Sequence, residues 1–164
     1  MIVLGIDPGT RHLGWGVVER RGTRLLHLAH GVIDTDTSQP LALRLVTIER
    51  ALVAIIAAEA PAVASVEALF YAKDAQAAAK LGHARGVVLL VCARAGLDVH
   101  EYAPALVKRA VAGSGRADKS QVAQMIRVVL GLAAAPPSDA ADALALAVTH
   151  LQHATLLALG VRRG

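Results

Sequence analysis

Cysteine and aromatic residues are scarce in this 164-residue chain. Its single cysteine, Cys92, excludes a disulfide framework and a multi-cysteine zinc site, and its apolar neighbours predict a buried, unreactive thiol. Aromatic residues make up only 2% of the chain, so the adjacent pair Phe70 and Tyr71 stands out. Hydrophobic residues make up 55% and charged residues 18%, which excludes a disordered chain and predicts one folded domain over residues 1–164.

The chain also lacks an apolar segment long enough to cross a membrane. Glu59 and Pro61 interrupt the stretch 51–66, and the stretch 87–95 is much shorter than the roughly 20 residues that a bilayer requires. No basic residue precedes Asp7, whereas a secretory signal begins with a basic region. We therefore expect a cytoplasmic protein with no membrane association.

Positive charge is concentrated in the second part of the chain. Basic and acidic residues balance over residues 1–60, so the net charge of +4 lies in residues 61–164. This distribution is compatible with binding to nucleic acid phosphates, but a mild basic excess is common among proteins of other classes.

The hydrophobic pattern predicts five strands and five helices. The strands are expected at 2–6, 13–18, 24–33, 62–66 and 97–102. The helices are expected to begin at Pro40, at Asp74, at Pro104, after an N-cap at Asp118 and after an N-cap at Ser138, the last one ending near Leu159. Three strands with short turns, followed by alternating helices and strands, predict an α/β fold: a mixed five-stranded sheet with helices on both faces.

Acidic residues occupy two strand ends and one helix face. Asp7 and Glu67 follow buried strands, although each alone would also suit a turn or an exposed strand end. Asp139 and Asp142 share one face in the first turn of the last helix, where compensation of the helix dipole is the alternative explanation. If the first and fourth strands are neighbours and the last helix packs across their edge, all four carboxylates meet in one cleft.

Four carboxylates in one cleft repel one another unless cations lie between them. Hard divalent ions prefer oxygen ligands, and Mg²⁺ fits best. Two such ions about 4 Å apart serve in-line attack of water on a phosphodiester. The seven histidines show no comparable spacing, and a zinc site at His150 and His153 is disfavoured.

Several motifs, in order along nearly the whole chain, resemble the RuvC family of Holliday junction resolvases. They are the segments at 5–10, Val66-Glu67 with Phe70, 79–86, Val107-Lys108, 113–122 and 139–145. The resemblance implies a ribonuclease H-like fold and a homodimer that cuts four-way junction DNA with paired symmetric nicks, leaving 5′-phosphate and 3′-hydroxyl ends. It also implies a branch-migration helicase complex of the RuvAB type as partner.

The resemblance further implies roles for individual residues. Asp7, Glu67, Asp139 and Asp142 match the catalytic carboxylates that bind two Mg²⁺ ions, with Mn²⁺ able to substitute. Lys108 and Lys119 match lysines that contact DNA near the scissile phosphate, and Phe70 matches an aromatic residue that stacks on junction bases.

Three further expectations concern residues outside the carboxylate set. Tyr71 adds a second aromatic ring beside Phe70: the resemblance favours one ring pointing outward for stacking, whereas the residues alone favour both rings packing under the following helix. The glycine-rich segment 113–117 leads into a helix, so Arg116 is a candidate phosphate contact. Lys73, Lys80 and Arg85 are expected on a solvated helix face.

Three other functions use some of the same residues. A ribonuclease H-like nuclease acting on RNA or on RNA–DNA hybrids would use the same carboxylates, so substrate shape has to decide. An actin-like nucleotide-binding module would explain the segment 7–10 but requires a second lobe. A junction-binding protein without catalysis would not need the complete carboxylate set.

Overall fold

Five strands and five helices follow one another in the computed structural model, which describes residues 1–68 and 75–158. The strands are β1 (Ile2–Asp7), β2 (His12–Arg21), β3 (Arg24–Asp34), β4 (Val63–Glu67) and β5 (Asp98–Tyr102). The helices are α1 (Leu41–Glu59), α2 (Ala75–Arg94), α3 (Pro104–Ala112), α4 (Lys119–Val129) and α5 (Ser138–Ala158). Every predicted element is present, although the expected helix start at Asp74 lies outside the described residues.

The strand order β3-β2-β1-β4-β5 brings the first and fourth strands together. β1 is antiparallel to β2 and parallel to β4, so the sheet is mixed as predicted. Ile6 pairs with Val66, and the residue after each of them is the last of its strand. Asp7 and Glu67 therefore end adjacent strands at the same edge of the sheet.

Alternation along the strands creates a hydrophobic core on each face of the sheet. Leu4 and Ile6 of β1 pack towards α1 and α2, in a core that includes Leu52 and Val88. Val3 packs towards α3, α4 and α5 on the opposite face. The prediction of helices on both faces is confirmed, and no helix within the described ranges is long and apolar enough to cross a membrane.

Helix α5 lies unusually close to the sheet because glycines face it. A methyl group built on Gly5 would overlap the carbonyl oxygen of Ala143, and one built on Gly14 would overlap the carbonyl oxygen of Asp139. The small residues Ala143 and Ala147 of α5 are fully buried against this surface. The approach sets the position of the acidic first turns of α5 relative to β1.

Two predicted N-caps have different outcomes. Asp118 caps α4: its side chain accepts a hydrogen bond from the Gln121 N–H, and the Gln121 side chain accepts one from the Asp118 N–H, both at 2.9 Å. The prediction for Ser138 is wrong by one position. The Ala141 N–H donates to the carbonyl of Pro137, so Ser138 is already the first residue of α5.

Candidate active site

A cleft of about 250 Å³ opens where β1, β4 and α5 meet. Its lining includes the carboxylates of Asp7, Glu67 and Asp142 and the side chains of Lys108 and Lys119. Asp139 does not line the cleft, but its charge acts on Asp7, one of the cleft carboxylates. The structure thus gathers the four predicted carboxylates around one point of the molecule.

The loop after β1 is anchored through the carbonyl oxygen of Thr10. The Thr35 hydroxyl donates to it at 2.6 Å, and Arg44 donates to it at 2.5 Å through Nη2. Arg44 also donates to the Thr35 hydroxyl at 3.0 Å, so the three residues form one network. Because this loop begins directly after Asp7, the network fixes the end of the strand that carries the carboxylate.

Arg85 anchors the end of β4 from the opposite face of the sheet. Its Nη1 donates to the Glu67 carbonyl oxygen and its Nη2 pairs with Glu101, each at 2.5 Å. The residue is only 6% exposed. The expectation that Arg85 belongs to a solvated face is therefore wrong, because a paired guanidinium can be buried where an isolated one cannot.

The cleft carries more negative charge than the protein neutralises. Burial, followed by the charges of Glu67 and Asp142, raises the pKa of Asp7 to about 7, and Lys119 only partly opposes this. The pKa of Glu67 is raised too, by burial and by Asp142, against the opposing charges of Lys119 and Lys108. Such an arrangement is unfavourable without a bound cation.

Lys119 forms the direct ion pair of the cleft. Its Nζ lies 2.7 Å from Oδ2 of Asp142. This contact, together with the charges of Asp7 and Asp139, raises the pKa of the lysine, which stays protonated. The pair connects the first residue of α4 to the second acidic residue of α5.

The donor set suits a hard cation. All four acidic side chains offer carboxylate oxygens, the ligands that Mg²⁺ prefers. Over residues 1–68 and 75–158, however, no three side chains of His, Cys, Asp or Glu are gathered closely enough to hold an ion as they stand. Lys119 holds Asp142, so a metal requires a small rearrangement of side chains.

The remaining predicted contacts fall in different places. Lys108 and Lys119 lie in the cleft, as expected for residues that meet a phosphate there. Arg116 lies in a separate groove between the loop after α3 and helix α4, beside Ser114 and Gln124. Phe70 and Tyr71 lie outside the described residues, as does Lys73.

A second group of titratable side chains lies further along α5. The Tyr102 hydroxyl and Nδ1 of His150 are hydrogen-bonded at 2.9 Å, and the ring of His100 lies 4.5 Å from that of His150. Burial, then the charges of His100, His153 and Arg20, lower the pKa of His150 to about 4. The sequence did not predict this cluster, since its members are separated by up to 53 positions and meet only through side-chain contacts between α5 and β5.

Cys92 behaves as predicted. The side chain is fully buried, and burial raises the pKa of its thiol to about 11. A thiol that stays protonated is a poor nucleophile and a poor metal ligand.

Comparisons with known proteins agree with this geometry. The family model for the crossover junction endodeoxyribonuclease RuvC matches residues 3–150. The chain is 64% identical over 154 residues to the RuvC of Sorangium cellulosum, covering 94% of this chain and 86% of that protein. It is 40% identical to Thermus thermophilus RuvC in complex with a Holliday junction substrate, with a TM-score of 0.90, covering 98% of this chain and 97% of that one.

A more distant structure shares the fold. The yeast mitochondrial Holliday junction resolvase Ydc2 is 13% identical, with a TM-score of 0.66, and the match covers 97% of this chain and 82% of that one. The mixed sheet with helices on both faces is ribonuclease H-like, as predicted.

Proposed function

The chain belongs to the RuvC family of crossover junction endodeoxyribonucleases, and we propose that Asp7, Glu67, Asp139 and Asp142 carry its chemistry. It is a Holliday junction resolvase, an endonuclease that binds four-way junction DNA and depends on a divalent metal. The observation that supports the carboxylate set is the meeting of Asp7 and Glu67 at adjacent strand ends, beside Asp142 in one cleft.

The four carboxylates would hold two Mg²⁺ ions, for which Mn²⁺ could substitute. Burial and the neighbouring negative charges of Glu67 and Asp142, which raise the pKa of Asp7 to about 7, support this assignment. Bound there, the ions would supply positive charge for a water nucleophile and for the leaving oxygen of the phosphodiester. The products would be nicks with 5′-phosphate and 3′-hydroxyl ends.

The protein's own groups position the substrate. Lys108 and Lys119 line the same cleft as Asp7 and Glu67, where they can donate hydrogen bonds to a phosphate that enters it. Arg116, in its separate groove, would contact a phosphate further along the strand. Phe70 and Tyr71 remain candidates for stacking on the junction bases.

We further propose that the enzyme acts as a homodimer. A four-way junction needs two nicks in strands of like polarity, and a two-fold symmetric dimer presents two equivalent sites. Leu90 of α2 is 49% exposed, which suits contact with a second copy. A branch-migration helicase complex of the RuvAB type would be the partner that delivers the junction, and the cytoplasm, where bacterial chromosomal DNA lies, the place of action.

Cleavage of a labelled synthetic four-way junction tests the proposed site. Linear duplex and RNA–DNA hybrid serve as competing substrates, each with Mg²⁺ and with EDTA. The proposal predicts paired, Mg²⁺-dependent nicks in the junction that are lost in Asp7→Asn and retained in Asp98→Asn, a matched change at an exposed strand start. Wild-type rates in Asp7→Asn would reject the site, and cutting of the hybrid alone would move the activity to RNA processing.

A further inference from the structure

Lys119 occupies a position that local physical chemistry disfavours. It is the first residue of α4, where the helix dipole disfavours positive charge, and the first turn of that helix has no acidic residue. The capping box formed by Asp118 and Gln121 nevertheless fixes the backbone on either side of it. A lysine kept at a position that the helix dipole disfavours indicates that its charge interacts with groups outside the helix.

Those groups are the carboxylates of the cleft. The ammonium group of Lys119 lies 2.7 Å from Asp142, and its charge also acts on Asp7 and Glu67. The two partners differ in accessibility: the side chain of Lys119 is 67% exposed, whereas that of Asp142 is 26% exposed. The lysine thus reaches in from solvent to a carboxylate that is itself held by packing.

We propose that Lys119 is an internal cation that occupies Asp142 in the metal-free enzyme and is displaced by the incoming metal onto a phosphate of the DNA. This inference rests on the proposed function of the four carboxylates. It adds that metal binding and DNA binding are coupled through one side chain, so that each favours the other.

The charges of the cleft support an exchange of cations. Among the described residues, Lys108 and Lys119 line the cleft beside Asp7, Glu67 and Asp142, and Asp139 acts on Asp7 from nearby. With all four carboxylates ionised, the two lysines leave an excess of two negative charges. Two divalent ions neutralise all four carboxylates without either lysine, and both lysines become available to phosphate. A long, largely exposed side chain on a fixed backbone makes this movement by rotation about its own bonds.

Lys108 provides the matched comparison. It lines the same cleft and also opposes the raised pKa of Glu67. Lys119 differs from Lys108 in two ways. Its charge acts on Asp7 as well as on Glu67, and among the described residues it alone forms an ion pair with Asp142. Removing either lysine removes one positive charge from the cleft, but only one of the two changes frees a carboxylate.

Binding of Mn²⁺ to the DNA-free protein, measured by titration calorimetry, tests the displacement. We expect Lys119→Gln to bind Mn²⁺ about fivefold to tenfold more tightly than wild type. Lys108→Gln should tighten binding clearly less, and Lys119→Arg, which keeps the charge, should stay near wild type. Equal or weaker Mn²⁺ binding by Lys119→Gln, with the fold intact by circular dichroism, would overturn the proposal, as would an equal gain in Lys108→Gln.

The salt dependence of junction binding tests where the lysine goes. In wild type, the slope of log affinity against log salt should steepen by about one unit when Ca²⁺ replaces EDTA, beyond any change seen in Lys119→Gln. The same Ca²⁺-dependent change in both proteins would contradict release onto phosphate. If wild type instead fails to bind Mn²⁺ or to cut junctions, the proposed function itself fails, and the two failures are thereby distinguished.

Discussion

Helix α5 contributes to two clusters of titratable side chains, in which pKa values are shifted in opposite directions. Near its start, Asp139 and Asp142 meet Asp7 and Glu67, and burial together with like charge raises the pKa of Asp7 to about 7. Further along, His150 is buried beside Tyr102 with its pKa lowered to about 4.

The two clusters differ in their electrostatic contribution to the stability of the fold at neutral pH. A histidine with a lowered pKa is simply neutral at pH 7, and its hydrogen bond to Tyr102 satisfies the ring. Asp7, with a pKa of about 7, is only partly protonated at neutral pH, so the carboxylate cluster retains unfavourable negative charge. His150 is thus uncharged at neutral pH, whereas the carboxylate cluster keeps negative charge that a bound cation would neutralise.

The largest effect is expected from Asp7→Asn. Cleavage of the junction should fall by about 10³-fold or more, because metal-derived stabilisation of the transition state amounts to several kcal/mol. The metal-free protein should become more stable at pH 7, by on the order of 2 kcal/mol, because the folded-state pKa of Asp7 lies above that of the unfolded chain. Cleavage kinetics and urea unfolding in EDTA measure the two quantities.

A single-residue control sharpens this prediction. His150→Gln removes a buried group of the other cluster and should leave cleavage within a few-fold of wild type. If Asp7→Asn lost activity but also lost stability in EDTA, the carboxylates would be structural rather than reserved for a cation.

A smaller loss is expected from Gly14→Ala. The added methyl group meets the Asp139 carbonyl oxygen and forces α5 away from the sheet, which separates the carboxylates. A displacement of about 1 Å costs about 10²-fold in rate. Cleavage assays measure the loss, and crystallography of the variant measures the displacement.

Gly82→Ala is the control, since a methyl group there meets open space within α2. It should stabilise the protein by roughly 0.5–1 kcal/mol in urea unfolding, as alanine usually does in a helix. Unchanged cleavage in Gly14→Ala would show that the close approach of α5 does not set the site.

The smallest expected effect is on how the stability of the protein depends on pH. The folded-state pKa of His150, about 4, lies below its ordinary value of 6.5, so the unfolded chain takes up the proton first as the pH falls. His150 should therefore make the protein progressively less stable from about pH 6.5 down to about pH 4. Unfolding midpoints across this window should fall less steeply in His150→Gln. An equal slope in both proteins would mean that His150 is protonated in the folded state.

Much of the carboxylate cluster was predictable from the sequence. Asp7 and Glu67 end apolar strands, and Asp139 and Asp142 share a helix face, so the adjacency of β1 and β4 and the packing of α5 against them had to be supplied. The strand order makes that adjacency certain.

The supports of the cluster were not predictable in the same way. Gly14 reads as an ordinary strand glycine until α5 is known to pack on it. Arg85 reads as a surface residue because arginine is seldom buried, and its partners, the Glu67 carbonyl and Glu101, lie on distant strands. The meeting of His100, Tyr102 and His150 depends on side-chain contacts between α5 and β5. These are properties of packing between distant elements, which local patterns do not encode.

The most direct test of the account is the anomalous scattering of Mn²⁺ in crystals of the DNA-free protein. We expect Mn²⁺ peaks in the cleft, within ligand distance of Asp7, Glu67 and Asp142, and none at the histidines of α5 and β5. Crystals in which the cleft shows no peak while the histidine cluster binds Mn²⁺ would contradict it.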